Sequence, residues 1–256
     1  MRILITNDDG YDAGGIAALT SLAEEFSDDV WVVAPDKCYS GMSHSITMGS
    51  PLFVDKIEES STLKRYICTG APVDCIKIAL DELMVEQEPD LILSGINHGA
   101  NSNISVIYSG TMGAATEGAF YGIPSLGFSL TDHSAQADFE TATIYARHII
   151  SLTLEMTPEE QNGLCLNVNI PNIPYDQING IRYVRQTRGN WREKFVKRAD
   201  PRGRNYYWMS GHFINAEPEA TDTDEWALAN GFVAVVPVQM DLTNYIMLEK
   251  FNNEEC

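Results

Sequence analysis

A four-residue apolar run, Ile3 to Thr6, ends directly in the polar turn Asn7-Asp8-Asp9-Gly10. The run is too short for a helix and is stopped by an Asp-Gly step, so it reads as a buried strand. A first strand so near the N-terminus tends to lie mid-sheet in an open α/β fold, where ligands bind in the crevice beyond the strand carboxyl ends. Further apolar runs at Val30 to Ala34, Leu91 to Ser94 and Ser125 to Ser129 alternate with helical patterns. These are Gly15 to Glu25, Val73 to Met84 with Pro72 at its first turn, and Thr111 to Tyr121. That alternation is the mark of βαβ units and a mostly parallel sheet.

Residues 44 to 68 depart from the pattern: Thr, Val and Ile separated by Gly49-Ser50-Pro51 and the polar stretch Glu58 to Thr62 predict an antiparallel excursion. A long helix is expected over Asp138 to Leu154 and a strand over Leu164 to Ile170. The Pro171-Asn172-Ile173-Pro174 knot then interrupts regular structure. Beyond it the chain reads as extended segments, Ile181 to Gln186, Asn205 to Met209 and Phe232 to Pro237, with a tail from Asp241 to Phe251. The expected division is a catalytic core over 1–175 and a β-hairpin extension with a C-terminal tail over 176–256.

With 256 residues and 44% hydrophobic content, one large core is affordable without a second independent domain. No apolar run approaches the ~20 residues that cross a bilayer, and Met1-Arg2-Ile3 enters a strand without a signal-peptide plan. A soluble, cytoplasmic protein is expected. Cysteines 38, 68, 75, 165 and 256 show no CxxC spacing, so they read as reduced thiols and core filler. The net charge of −19 argues against a general nucleic-acid binder. Between Arg182 and Arg204, however, nine Lys and Arg face only Glu193 and Asp200, so this stretch is +7 and the remainder −26. It reads either as a solvated loop or as an arm for anions or acidic subunits, with Trp191, Tyr206 and Tyr207 offering surfaces on which a base or a partner can stack.

Four segments carry candidate chemistry. Asp8 and Asp9 are hard oxygen donors suited to Mg²⁺, Ca²⁺ or Mn²⁺, although an Asx turn capping the next helix explains the same residues. Ser94-Gly95-Ile96-Asn97-His98-Gly99 opens from a strand. Its glycines permit close approach of backbone to ligand, and an Asn amide can ligate a metal through oxygen or donate to phosphate; a plain strand-end turn fits too. Tyr108-Ser109-Gly110-Thr111 precedes an Ala-rich helix, whose free N–H groups suit an anion, or for which Ser109 or Thr111 is simply the N-cap. It lacks the lysine of a Walker loop. The loop Pro35 to Ser45 returns to the same sheet edge with Ser40, a weak neutral ligand, and Gly41.

Together these segments resemble the SurE family of survival proteins, metal-dependent nucleoside-monophosphate phosphatases. The resemblance rests on Ile3 to Gly10, Val33 to Pro35, Ser40-Gly41, Gly70 with Pro72 and Asp74-Cys75, and Ser94 to Asn97 with Gly99 and Asn101. It continues through Tyr108 to Thr111, Asn167 with Asn169, Asp200 to Gly203, Tyr207-Trp208 and Pro237. It implies a Rossmann-like, mostly parallel core, one divalent cation per subunit (Mg²⁺ or Mn²⁺), and a β-rich C-terminal extension that builds homodimers or homotetramers. The metal ligands it implies are Asp8, Asp9, Ser40 and Asn97; the phosphate contacts are Asn97, Ser109, Gly110 and Thr111; the catalytic pair is Asp8 and Asp9. Gly14, His98 and Gly113 depart from the usual family residues.

The implied reaction is hydrolysis of a nucleoside monophosphate, as a 5′-nucleotidase with 3′-nucleotidase or exopolyphosphatase activity as extensions. Either water or Asp9 is the nucleophile. A non-catalytic nucleotide sensor is the alternative. A haloacid-dehalogenase-type phosphatase would need Asp-x-Asp, and a dinucleotide oxidoreductase GxGxxG, after the first strand; neither is there. His44, His133, His148 and His212 lack ligand spacing and read as surface or packing residues, whereas His98, beside Asn97, is a candidate proton donor to the leaving alkoxide.

Overall fold

A computed structural model describes residues 1–134 and 136–254. Its elements run β1 (Ile3–Thr6), α1 (Gly14–Ala23), β2 (Val30–Pro35), β3 (Val54–Glu59), β4 (Leu63–Cys68), α2 (Pro72–Ile78), β5 (Leu91–His98), α3 (Gly110–Phe120) and β6 (Ser125–Leu130). They continue with α4 (Glu140–Leu154), α5 (Pro158–Gln161), β7 (Cys165–Ile170), β8 (Ile181–Tyr183), β9 (Gly189–Ala199), β10 (Asn205–Asn215), α6 (Asp224–Ala229), β11 (Val233–Pro237) and α7 (Tyr245–Glu254).

Nine strands form one sheet in the order β3-β4-β2-β1-β5-β6-β7-β11-β8. From β4 to β7 every pairing is parallel, while β3 and β11 join antiparallel. The fold is therefore α/β, and the expected strands and helices appear, with two differences in extent: the helix from Pro72 gives way to a π-helical turn over Ala79–Leu83, and the strand from Asn205 runs on to Asn215. The predicted excursion is only half antiparallel: β3 pairs that way with β4, but β4 itself lies parallel beside β2. The sheet also continues past residue 175, since β11 and β8 extend it from β7. What stands off the sheet is the long antiparallel hairpin β9–β10 and the tail helix α7.

Alternation along the strands builds a core on each face of the sheet. Ile3, Ile5, Val30, Val32, Leu91 and Leu93 point to the side covered by α1 and α4. Leu4, Trp31, Val33 and Ile92 point to the side of α2 and α3. Strands buried on both faces read as continuous apolar runs, which is why they were visible in sequence. Helix α4 shows its buried stripe at Ala142, Ala146, Ile149, Ile150 and Thr153, the spacing of an amphipathic helix. Cys68, Cys75 and Cys165 are buried thiols and Cys38 is exposed, whereas Cys256 lies outside the described residues. Among the described residues no helix is long and apolar enough to cross a membrane.

Candidate functional site

The order β2-β1-β5-β6 means that the chain leaves the β1/β5 pair in opposite directions, opening a crevice beyond their carboxyl ends. At the end of β1, Asn7 closes the turn: its Nδ2 donates to the Gly10 carbonyl at 2.8 Å and its Oδ1 accepts from the Gly10 N–H at 3.3 Å. Gly10 has φ +110°, a conformation that favours glycine. The Asx turn is thus made by Asn7, and the two carboxylates that follow are not consumed by it.

Asp8 is 3% exposed. The Thr111 hydroxyl donates to its Oδ1 at 2.6 Å, and its backbone carbonyl accepts from Tyr39 N–H at 2.7 Å, tying the loop after β2 to the site. A Cβ on Gly110 would stand 2.7 Å from Asp8 Cβ, so the start of α3 can abut Asp8 only as glycine. Burial pushes the Asp8 carboxyl up from its ordinary 3.8 to about 6, against the opposing hydrogen bond from Thr111. Asp9 is half-buried, and its Oδ2 accepts the His98 backbone N–H at 3.1 Å. Burial raises this carboxyl too, while the His98 N–H and the charges of His98 and His133 pull it down. Among the described residues no lysine or arginine pairs with either carboxylate.

Asn97 and His98 lie within β5, not in a loop after it, because the strand runs on through a bulge between Ser94 and Asn97. Gly95, at φ +126°, makes the bulge; a side chain there would sit 2.4 Å from the Phe128 carbonyl. Asn97 Nδ2 donates to the Gly99 carbonyl at 2.8 Å, which leaves its Oδ1 without a hydrogen-bonding partner among the described residues. Ser40 is exposed, with its hydroxyl 3.0 Å from the Cys38 thiol.

The Ser40 loop is fastened onto α3. Ser43 N–H donates to the Tyr108 carbonyl at 2.9 Å and Ser43 Oγ to the Ile107 carbonyl at 2.6 Å. A Cβ on Gly113 would meet the Ser43 carbonyl at 2.9 Å, which accounts physically for glycine at that position. His44 bridges Glu117 at 2.7 Å and Thr116 at 3.1 Å, and Lys77 pairs with the same buried Glu117. His44, expected as a surface or packing residue, is a clamp for this loop.

These elements surround a cleft of about 580 Å³. Asp8, Ser40, Asn97, His98 and Ser109 line it, so the turn after β1, the loop after β2, the end of β5 and the start of α3 meet there, although Asp9 is not part of the wall. Ser109 is also the N-cap of α3, its Oγ accepting the Met112 N–H at 3.0 Å. Thr111 is fully buried behind the wall, its hydroxyl committed to Asp8. Nothing in the sequence points to His133, Glu193 or Met209 at the site, whereas Trp191 is one of the three rings that the basic stretch offers as a stacking surface. His133 reaches the wall from the loop after β6, and no motif spacing marks it. The base of the β9–β10 hairpin supplies Trp191, Glu193 and Met209. Among the described residues Tyr206 and Tyr207 are not on the wall, nor is any lysine or arginine. On β9, Arg192 and Lys194 alternate with Trp191 and Glu193 and so take the other face of the hairpin.

The family model described as "Survival protein SurE" matches residues 3–193. The chain is 49% identical over 253 residues to the 5′-nucleotidase SurE of Flavobacterium johnsoniae, covering 98% of this chain and 95% of that one. To the 5′-nucleotidase SurE of Flavobacterium psychrophilum it is 46% identical over 252 residues, covering 98% and 96%. The crystal structure of SurE protein from Aquifex aeolicus is similar in fold, with TM-score 0.83, 37% identity and full coverage of both chains.

Proposed function

The chain belongs to the survival protein SurE family, and from that membership we propose that it is a divalent-metal-dependent 5′-nucleotidase, hydrolysing nucleoside monophosphates to nucleoside and inorganic phosphate. The observation that carries the metal requirement is electrostatic. Asp8, 3% exposed, lines a cleft whose wall has no lysine or arginine among the described residues, and Asp9 follows it, its carboxylate accepting the backbone N–H of His98 on the same wall. A phosphate dianion cannot enter such a site at acceptable Coulombic cost without a cation beside it.

The donors fit a hard cation. Among the described residues no three His, Cys, Asp or Glu converge as a metal cluster; the set at hand is two carboxylates, the unpartnered Asn97 Oδ1 and the Ser40 hydroxyl, an all-oxygen group suited to Mg²⁺ or Mn²⁺. Asp8, Asp9, Ser40 and Asn97 would hold one such ion per subunit, and when bound it neutralises charge on the phosphoryl oxygens. Thr111 fixes the Asp8 carboxylate through its hydroxyl. The start of α3, beginning at Gly110 and capped by Ser109, turns the positive end of the helix toward the cleft and favours the phosphoryl group there. His98 lines the cleft with its Nδ1 buried and unpartnered, and we assign it the proton passed to the leaving alkoxide.

Exposed Ile246, Leu248 and Phe251 on α7, with Phe195 and Trp208 on the hairpin, form apolar surface that a second copy would cover. This supports a homodimer or homotetramer. The decisive experiment offers a panel of nucleoside monophosphates to the protein with EDTA and then with added Mn²⁺ or Mg²⁺. Activity is expected only after metal addition; full turnover in EDTA would overturn the proposal, as would binding of nucleotide without turnover in the presence of metal.

A further inference from the structure

Resting on the nucleotidase reading, we propose that the base of the β9–β10 hairpin forms the nucleoside end of the cleft, with Trp191 as the platform for the base and Glu193 as the acceptor for the sugar hydroxyls. The cleft of about 580 Å³ is far larger than a phosphate group fills and matches the usual size of a small-molecule site. Its inner part is polar, built by Asp8, Asn97 and Ser109, and its hairpin wall presents an indole, a thioether and one carboxylate.

Trp191 is held for stacking. Its Nε1 donates to Ser105 Oγ at 3.1 Å, and its ring meets Phe213 edge-on at 6.5 Å. Both partners fix the orientation of the indole, which is still 37% exposed. A pre-oriented ring loses little entropy on receiving a flat ligand. Glu193 sits two residues on, so it shares the face of Trp191. Directly across from it is Gly211, where a Cβ would stand 2.7 Å from the Arg192 carbonyl oxygen, so glycine keeps the two strands close at this point of the wall. Among the described residues the Glu193 carboxylate makes no hydrogen bond or ion pair, its only pairing being the backbone ladder to Gly211. A free carboxylate repels phosphate, so its place in the cleft is at the neutral, hydroxyl-bearing part of the substrate, where it can only accept. The basic residues Arg192 and Lys194 are on the opposite face and do not offset it.

The test compares AMP, 2′,3′-dideoxy-AMP and ribose 5-phosphate as substrates, and adenosine as an inhibitor, with the full-length metal-loaded protein. Base stacking is worth ~1–3 kcal/mol. Trp191→Ala is therefore expected to raise KM for AMP and Ki for adenosine about 5- to 150-fold while changing KM for ribose 5-phosphate less than twofold. Trp191→Phe, which keeps a ring, should recover most of the loss even though the bond to Ser105 is gone. Glu193→Ala should raise KM for AMP about tenfold or more and leave dideoxy-AMP unchanged, since only AMP has the hydroxyls. Equal losses for AMP and ribose 5-phosphate in Trp191→Ala would mean that the ring merely supports the wall, and would overturn the inference. So would unchanged constants in Trp191→Ala, or equal effects of Glu193→Ala on AMP and its dideoxy analogue. If the wild-type protein with metal hydrolyses none of the three phosphates, the nucleotidase reading itself fails, an outcome separate from these.

Discussion

Asp8→Asn is expected to make the metal-free protein more stable at neutral pH while abolishing its activity. Asp8 is 3% exposed and its carboxyl is pushed from 3.8 to about 6, chiefly by burial. The folded-state value lies above the unfolded one, so between about pH 4 and 6 the folded state binds more protons, and stability falls as pH rises through that window. At ~1.4 kcal/mol per pH unit, a rise from 3.8 to about 6 costs about 3 kcal/mol at pH 7. Asparagine removes the charge and keeps an oxygen to accept the Thr111 hydroxyl, so up to about 3 kcal/mol should be recovered, less whatever the new NH₂ group costs in burial. Urea unfolding in EDTA at pH 4, 5, 6 and 7 measures this directly. Relative to the variant, the wild type should lose up to about 3 kcal/mol of stability between pH 4 and 7, the contributions of Asp9 and the other carboxyls being common to both proteins. Adding Mn²⁺ should then stabilise the wild type and leave Asp8→Asn nearly unmoved, because binding to the folded state alone shifts the unfolding equilibrium. Parallel stability-pH curves for the two proteins would refute the reasoning, since they would mean that Asp8 carries no burial penalty.

Thr111→Val deletes a hydrogen bond to a charged group, worth ~1.5–3 kcal/mol, so Asp8 should titrate about one to two pH units higher, and the Mn²⁺ concentration for half-maximal activity at pH 6.5 should rise about tenfold or more; an unchanged metal dependence would show the hydroxyl to be only structural. Gly110→Ala places a Cβ against Asp8, 2.7 Å from its Cβ, and should cost at least tenfold in kcat with the fold retained by circular dichroism. His98→Ala should lower kcat more for substrates with poor leaving groups than for p-nitrophenyl phosphate, whose leaving group needs no proton; equal losses would remove His98 as the proton donor. Neutralising Arg192, Lys194, Lys197 and Arg198 together should change the oligomer mass in sedimentation at low salt and leave KM alone, because none of them lines the cleft.

The sequence by itself determined the architecture of the parallel core, because strands buried on both faces must be apolar throughout and the helices between them must carry one apolar stripe. Ile3 to Thr6, Leu91 to Leu93 and the stripe of α4 are visible for that reason alone. It also singled out Asp8, Asn97 and Ser109, which the fold brings to one cleft, since each follows or lies near the carboxyl end of a recognisable strand, or caps a helix beside a glycine. What only the tertiary structure decided are relations between segments far apart. Thr111 has the same local signature as a phosphate-binding helix start, yet its hydroxyl meets Asp8, 103 positions away, because glycine at 110 lets α3 press against β1. His133, Trp191 and Glu193 carry no motif, and each reaches the cleft only through the path of its loop or hairpin. The basic run showed its charge in sequence but not its direction, since a strand turns alternate side chains to opposite faces and nothing local says which face meets the cleft. Pairing of β11 with β7 is likewise a long-range choice, made by shared burial and open backbone hydrogen bonds that no local pattern encodes.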